Sequence, residues 1–409
     1  MLLTNEQVEQ MIDKWNSKGF KLNELADDTQ KRNTAILLEN EHKYILQETA
    51  TLSTDVADFK KILMPLTRRI FPNLLANEIV GVQPMAGPVS LAYAIRFKAT
   101  SAYAGDATTS YDINGNPIIR EMGYNTIDNA YTGAGTTPNG TGAVTASAEQ
   151  WSLSDAVDGS TIKEGKASIE STVVTAKTRK MKSRYSLESA QDLKNMHGLD
   201  IEAELTNMLQ YEIGAEIDRE LVSGINTLGA TNAFTWTVSA GDSTSTIGEA
   251  AKFRALYTRI VREAAAIAKR TRRGAGNFII ASGNVVTALD SLGTFLMQPL
   301  AGANPMDIGP GVAKVGSIEN RFNVYRDTFA TTDYATVGFK GQGVQNSGII
   351  YCPYIPIMVS KAIEPGNFTP VIGLMTRYGL VNHLLNSQDF YTKITVSFTG
   401  ITGFEDSVI

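Results

Sequence analysis

Apolar positions follow three different rhythms along this chain. Over its first 70 residues they recur at helical spacing. Val8, Met11, Ile12 and Trp15 step by three and four. That predicts an amphipathic helix over residues 5–15, with Thr4 and Gln7 spaced as a capping box. Residues 22–47 are charged, with anchors at Leu25, Ile36, Leu37, Ile45 and Leu46, and also read as helix. Leu52, Val56, Phe59, Leu63, Leu66 and Ile70 then alternate steps of four and three. They form one sticky helical stripe that needs a partner surface, and Pro65 disturbs its end.

The middle of the chain is different. Leu91 to Phe97 is strand-like, and β-branched Ile169, Thr172, Val173, Val174 and Thr175 mark another strand. Between them, residues 101–165 are rich in Gly, Ser, Thr, Asn and Ala and lack any apolar period. They read as surface loops and hairpins, and Asn114-Gly115 marks a tight hairpin turn.

A third rhythm starts near residue 199. Ile201, Leu205, Leu209, Ile213, Ile217 and Leu221 repeat at four, predicting a helix over 199–223. A repeat of four overshoots a turn of 3.6, so the stripe slides around the helix and its two ends must pack on different layers. Gly214 inside it suggests a close backbone crossing. A second helix is predicted over 250–273, then a strand over 277–281. A further helix carries Val285, Val286 and Leu289, with Ser282 as its cap. Strands are predicted at 336–339, 349–359, 371–375 and 391–399, where Pro353 and Pro356 suit an edge or a bulge. This mixture is an α+β pattern.

Composition mainly excludes. The 409 residues are 43% hydrophobic, which suits a large core and not a disordered chain. The single cysteine, Cys352, rules out an intrachain disulfide framework and a Cys-rich metal site. His42, His197 and His383 are far apart in sequence. No run reaches the ~18 apolar residues of a membrane span, and the start, MLLTNEQVEQMIDKW, is unlike a secretory signal. Gly341 to Gly348 lacks the Lys-Ser/Thr of a phosphate loop, and no nucleophile elbow or triad order stands out. The expectation is a non-enzyme with no cofactor and no metal.

Charge is more informative. The net charge of −5 does not favour gripping nucleic acid. Residues 185–220 hold nine acids and two bases, whereas 250–273 hold eight bases and one acid. Lys177, Arg179, Lys180, Lys182 and Arg184 form a basic run. On a strand, 180, 182 and 184 share one face. Three readings stay open: contact with carboxylates of another subunit, contact with DNA, and a solvated strand. Under the first, Lys177, Arg179, Lys180, Lys182, Arg262, Arg270, Arg272 and Arg273 of one copy meet Glu202, Glu204, Glu212, Glu216 and Glu220 of the next. Such complementarity fixes register and partner choice.

Several stretches resemble the major capsid protein of large contractile-tailed, T-even-like phages. They are Glu78-Ile-Val-Gly-Val-Gln-Pro-Met-Ala-Gly-Pro, Lys177-Thr-Arg-Lys-Met-Lys-Ser-Arg-Tyr-Ser-Leu-Glu, Arg273-Gly-Ala-Gly-Asn-Phe-Ile-Ile-Ala-Ser, Tyr351-Cys-Pro-Tyr and Pro370-Val-Ile-Gly-Leu-Met-Thr-Arg-Tyr-Gly-Leu. The resemblance implies a Hong Kong 97-like capsid fold. Residues 1–75 would be an N-terminal arm that packs through Leu52, Val56, Phe59 and Leu63. Residues 76–89, 181–239 and 345–409 would form a peripheral domain with spine helix 199–223. Residues 90–180 would be an extended loop with a reduced insertion, and 240–344 an axial domain.

It also implies self-assembly into hexamers, possibly with pentamers, in an icosahedral virion head made in the host cytoplasm. The shell would enclose double-stranded DNA without reading its sequence. Vertex, portal, scaffold and decoration proteins would be partners. The alternative role is a pentameric vertex protein or a non-viral compartment shell. Glu39 and Glu48 end segments that fit a loose maturation-protease pattern, and the arm is expected to be retained uncut.

Overall fold

A computed structural model describes residues 5–18, 20–25, 28–48, 74–99, 132–134, 140–149, 165–239, 249–292, 295–296, 313–318, 320–343, 346–364, 366, 369–383 and 387–399. Thr4, the stripe 52–70 with Leu52, Val56, Phe59 and Leu63, and the Asn114-Gly115 turn lie outside the described residues.

Helices α1 (Asn5–Ser17) and α2 (Asp28–Glu48) form a pair with its own core of Trp15, Leu22, Ala35 and Leu38. Lys14 clasps Glu39 across the pair at 2.8 Å. On its other side α2 sends Leu37 into the main core, and Asn40 Nδ2 donates to the Met85 carbonyl at 2.7 Å. Over residues 5–48 the chain therefore packs on the body. The reason is local: α2 has two apolar sides, one for α1 and one for the body.

The chain then runs through α3 (Ala76–Ile79), β1 (Gly81–Val82), β2 (Val89–Ala99), α4 (Thr145–Ala148), β3 (Gly165–Thr175) and β4 (Lys177–Arg184). Next come α5 (Leu187–His197), α6 (Ile201–Gly229), β5 (Phe234–Ser239), α7 (Glu249–Thr271), β6 (Phe278–Ser282) and α8 (Gly283–Asp290). The last third is β7 (Phe295–Leu296), β8 (Ala313–Ile318), β9 (Phe322–Asp327), β10 (Tyr334–Gly338), β11 (Ile349–Glu364), β12 (Thr369–Asn382) and β13 (Tyr391–Thr399).

These strands make a four-stranded sheet in the order β1-β11-β12-β4 and a seven-stranded sheet in the order β5-β13-β10-β6-β9-β8-β7. The β2–β3 pair stands apart as a two-stranded ribbon. The long helix α6 joins the two sheets. Its earlier turns bury Leu209, Ile213 and Ile217. Along this stretch Glu216 and Glu220 bond Arg179 of β4, and Glu220 also bonds Tyr378 of β12. Its last turns reach the other sheet, where Asn226 Oδ1 accepts from Thr336 Oγ1 at 2.6 Å. The sliding stripe therefore does what its period of four requires. On the opposite face of the seven-stranded sheet lies α7, whose Arg270 bonds Thr392, the neighbour of Lys393 on β13.

Two expectations change. Gly214 meets nothing: an added Cβ would have no neighbour within 4 Å. The close approach is at Gly229, where a Cβ would lie 3.2 Å from the Lys393 nitrogen. Ser282 sits at the N-cap of α8, but its hydroxyl donates to Asp333 at 2.8 Å and accepts no bond from the helix N–H groups. Strands β5 and β13 join residues 278–338 in the seven-stranded sheet. An alternating pattern identifies a strand but does not name its neighbour. Pro353 and Pro356 fall where the β11–β12 register shifts, as a bulge requires.

Candidate functional site

The surfaces that can meet other molecules are of two kinds, charged and apolar. The charged one is the seam of β4 and α6. Along β4 the burial alternates, so Arg179, Met181 and Ser183 turn inward while Lys180, Lys182 and Arg184 stand exposed. Arg179 bonds Glu216 at 2.8 Å and Glu220, and its Nε donates to the Tyr378 hydroxyl. Tyr378 donates in turn to Glu220. Burial opposes ionisation of Glu220, but the bonds from Arg179 and Tyr378 outweigh it and hold the carboxyl below its usual range. Burial and the facing Glu220 push the Tyr378 phenol up to about 12.

A second cluster lies near the start of α6. Lys361 and then the Tyr185 hydroxyl bond Glu202, lowering its pKa. Arg179, Glu202, Glu216 and Glu220 therefore find partners within one chain. A count of charges along the sequence could not show that β4 lies beneath α6.

The remaining candidates divide. Arg270 bonds Thr392, Arg273 bonds Asn346 at 2.8 Å, and Arg184 lies 3.4 Å from Glu364. Lys177 is exposed and lowers Glu220 from a distance. Lys180, Lys182, Glu204, Glu212, Arg262 and Arg272 are exposed, with no ion-pair partner among the described residues.

The apolar surface was missed in the sequence. In the ribbon, Leu91 pairs with Val173 and Val89 with Thr175. One face therefore gathers Val89, Leu91, Tyr93, Phe97, Ile169 and Val173, all exposed. The other face buries Ala92 and Val174 on Met85, Ile350 and Cys352. Gly379 makes this seat possible, since a Cβ there would lie 2.5 Å from Val174 Cγ1. The odd-numbered apolar residues of 89–97 were the available signal. Helix α5 likewise buries no residue, although Ser186 and Gly198 cap it well. Leu187, Met196, Leu199, Met208 and Tyr211 are exposed along α5 and the start of α6. An 11-residue helix is marginal alone.

Neither surface offers reaction chemistry. A cleft of about 660 Å³ between α2, α3 and residues 340–343 includes Gln30, Asn33, Asn77, Asn277, Asn323 and Gln342 in its lining. Lys340 and Glu78 in its wall are bonded to Asn77 and Tyr325. Among the described residues no group of three or more His, Cys, Asp or Glu could hold a metal ion, and no helix is long and apolar enough to cross a membrane.

Residues 56–399 match the family model described as major capsid protein Gp23. The major capsid protein of Vibrio phage KVP40 is 31% identical over 408 residues, covering 83% of this chain and 79% of that protein. That of Enterobacteria phage T4 is 31% identical over 388 residues, covering 78% and 74%. Among solved structures, a chain from the capsid of Myoviridae phage XM1 aligns with a TM-score of 0.39 at 10% identity, over 78% of this chain and 89% of that one.

Proposed function

Because the chain belongs to the Gp23 family of major capsid proteins, we propose that it assembles with its own copies into the icosahedral head shell of a tailed phage. The fold is of the Hong Kong 97 type in this reading, with α6 as the spine helix. Hexamers, with pentamers at the vertices, tile the shell around double-stranded DNA. Vertex, portal, scaffold and decoration proteins complete the head, and no cofactor takes part.

The observation that carries the reading is the ribbon. A two-stranded ribbon is marginal in water by itself, and this one turns a whole apolar face outward. Contiguous apolar surface of that kind marks an interaction site. A neighbouring copy supplies the cover in this reading, and the uncovered helix α5 is a second such surface. The charges without an ion-pair partner among the described residues, Lys180, Lys182, Arg262 and Arg272 against Glu204 and Glu212, set register between copies. Repeating a modest contact around a closed ring makes it secure, because several must break together.

Reversing Glu204 and Glu212 to lysine in the full chain tests this. Among the described residues neither carboxylate is paired, so the folded chain is expected to persist while shell formation, followed by electron microscopy, fails or needs high salt. Normal shells from that double variant would remove the charged faces from the account. A wild-type chain that forms no ring or shell at any concentration would remove the function itself.

A further inference from the structure

The cleft between α2, α3 and residues 340–343 holds amides that bond nothing. Gln30 and Asn33 of α2, Asn323 of β9 and Gln342 all line it, and their side chains have no hydrogen-bond partner among the described residues. Asn33 matters most, because it is only 8% exposed. A polar side chain buried to that degree is normally bonded, and this one lines the cleft instead. The charged residues of the wall are the reverse. Glu78 accepts from the Tyr325 hydroxyl at 2.6 Å, and Lys340 Nζ donates to the Asn77 carbonyl. Among the described residues the cleft therefore offers donors and acceptors but no free charge. Its volume of about 660 Å³ lies within the roughly 300–1,000 Å³ of ligand clefts.

Two further features select the ligand. Asn277, in the same wall, pairs with both main-chain groups of Lys340. Its Nδ2 donates to the carbonyl at 2.6 Å and its Oδ1 accepts from the N–H at 3.0 Å. An amide side chain thus matches a peptide unit, donor to acceptor and acceptor to donor. The second feature is β1, an edge strand of the four-stranded sheet. Gln83 and Met85 donate to Tyr351 and Pro353 of β11. Val82, the neighbour of Gln83, therefore points its own N–H and C=O away from β11, and Val82 lines the cleft.

We infer that this cleft binds an extended, uncharged polypeptide segment of another protein, which adds as a strand beside Val82 and is held by the amides of Gln30, Asn33, Asn323 and Gln342. Strand addition draws its affinity from main-chain hydrogen bonds, and the amides supply the same chemistry beyond the two residues of β1. A charged segment finds no counter-ion here, and a sugar has no main chain to pair with a strand edge. The inference does not rest on the shell reading, and its failure leaves that reading untouched.

Saturation-transfer NMR on the full chain tests it with acetyl-Ser-Thr-Val-Thr-Ser-amide, a capped peptide without charge, at millimolar concentration. Transfer to the peptide is expected, and none to maltohexaose. A version N-methylated at every residue keeps the side chains but loses the donors, and is expected to bind at least about tenfold more weakly. Asn33→Leu in the protein is expected to weaken the parent peptide to a similar degree. Gln342→Ala, at an exposed position that carries no packing, repeats the test without risk to the fold. No transfer to the peptide overturns the inference and leaves the cleft to water. Stronger transfer to the sugar, or equal binding by the methylated peptide, overturns the strand addition. Peptide binding untouched by both variants overturns the location. Binding by the free chain that is lost in assembled shells gives the cleft to a neighbouring copy and overturns the assignment to another protein.

Discussion

Shortening Val174 to alanine probes how the ribbon is seated. Val174 is 2% exposed in the small cluster with Met85, Ala92, Ile350 and Cys352, and it fills the space left by Gly379. Removing two buried carbons, with partial collapse of the cavity, costs about 2 kcal/mol. The cluster is separate from the main core, so the loss falls on ribbon lifting and not on global unfolding. Lifting uncovers Cys352, the only thiol in the chain. Burial pushes that thiol up to about 12, so at neutral pH it is inert until exposed. The rate of Cys352 modification by a thiol reagent in native buffer is expected to rise about 30-fold in Val174→Ala. Val173→Ala is the control, because Val173 is 59% exposed on the far face, and its rate should match the parent. Equal acceleration in both variants would refute the two-faced ribbon. So would modification that follows global unfolding in urea.

Three other outcomes follow from the same geometry. Burial pushes Asp218 up to about 7, against the Leu75 N–H that bonds its carboxyl at 3.2 Å. The folded state thus holds a proton that the unfolded state releases near 3.8. Stability should fall as pH rises from about 4 to about 7 and stay low above that. Asp218→Asn should flatten this slope and raise stability at pH 8 by roughly 2–4 kcal/mol, checked by urea midpoints at acid and alkaline pH. Arg179→Ala leaves Glu216 and Glu220 without their cation. Because these side chains are a third or more exposed, a loss of only about 1 kcal/mol is expected, shrinking in concentrated salt. Trp15→Ala removes the largest side chain of the N-terminal pair and should cost about 3–5 kcal/mol there. Hydrogen exchange should then show residues 5–48 opening while β6, β10 and β13 stay protected.

Much of the fold could be read along the chain because it depends on local periodicity. The repeat of Leu209, Ile213, Ile217 and Leu221 specified α6 and required two different packing layers, since the period is a property of the helix and not of its surroundings. The strands 278–282, 334–338 and 391–399 were visible for the same reason, and motif order identified the family. Partner choice was not visible. Whether Glu220 looks to Arg179 of its own chain or to another copy depends on β12 carrying β4 beneath α6, a contact between residues 41 apart in sequence. The outward apolar face of the ribbon emerged only when Leu91 was set opposite Val173, because exposure belongs to a pair of strands and not to either alone. That α2 has neighbours on two sides, α1 and the body, likewise emerged only in three dimensions. Sequence determines which side chains share a face, while only tertiary structure decides which face is already occupied.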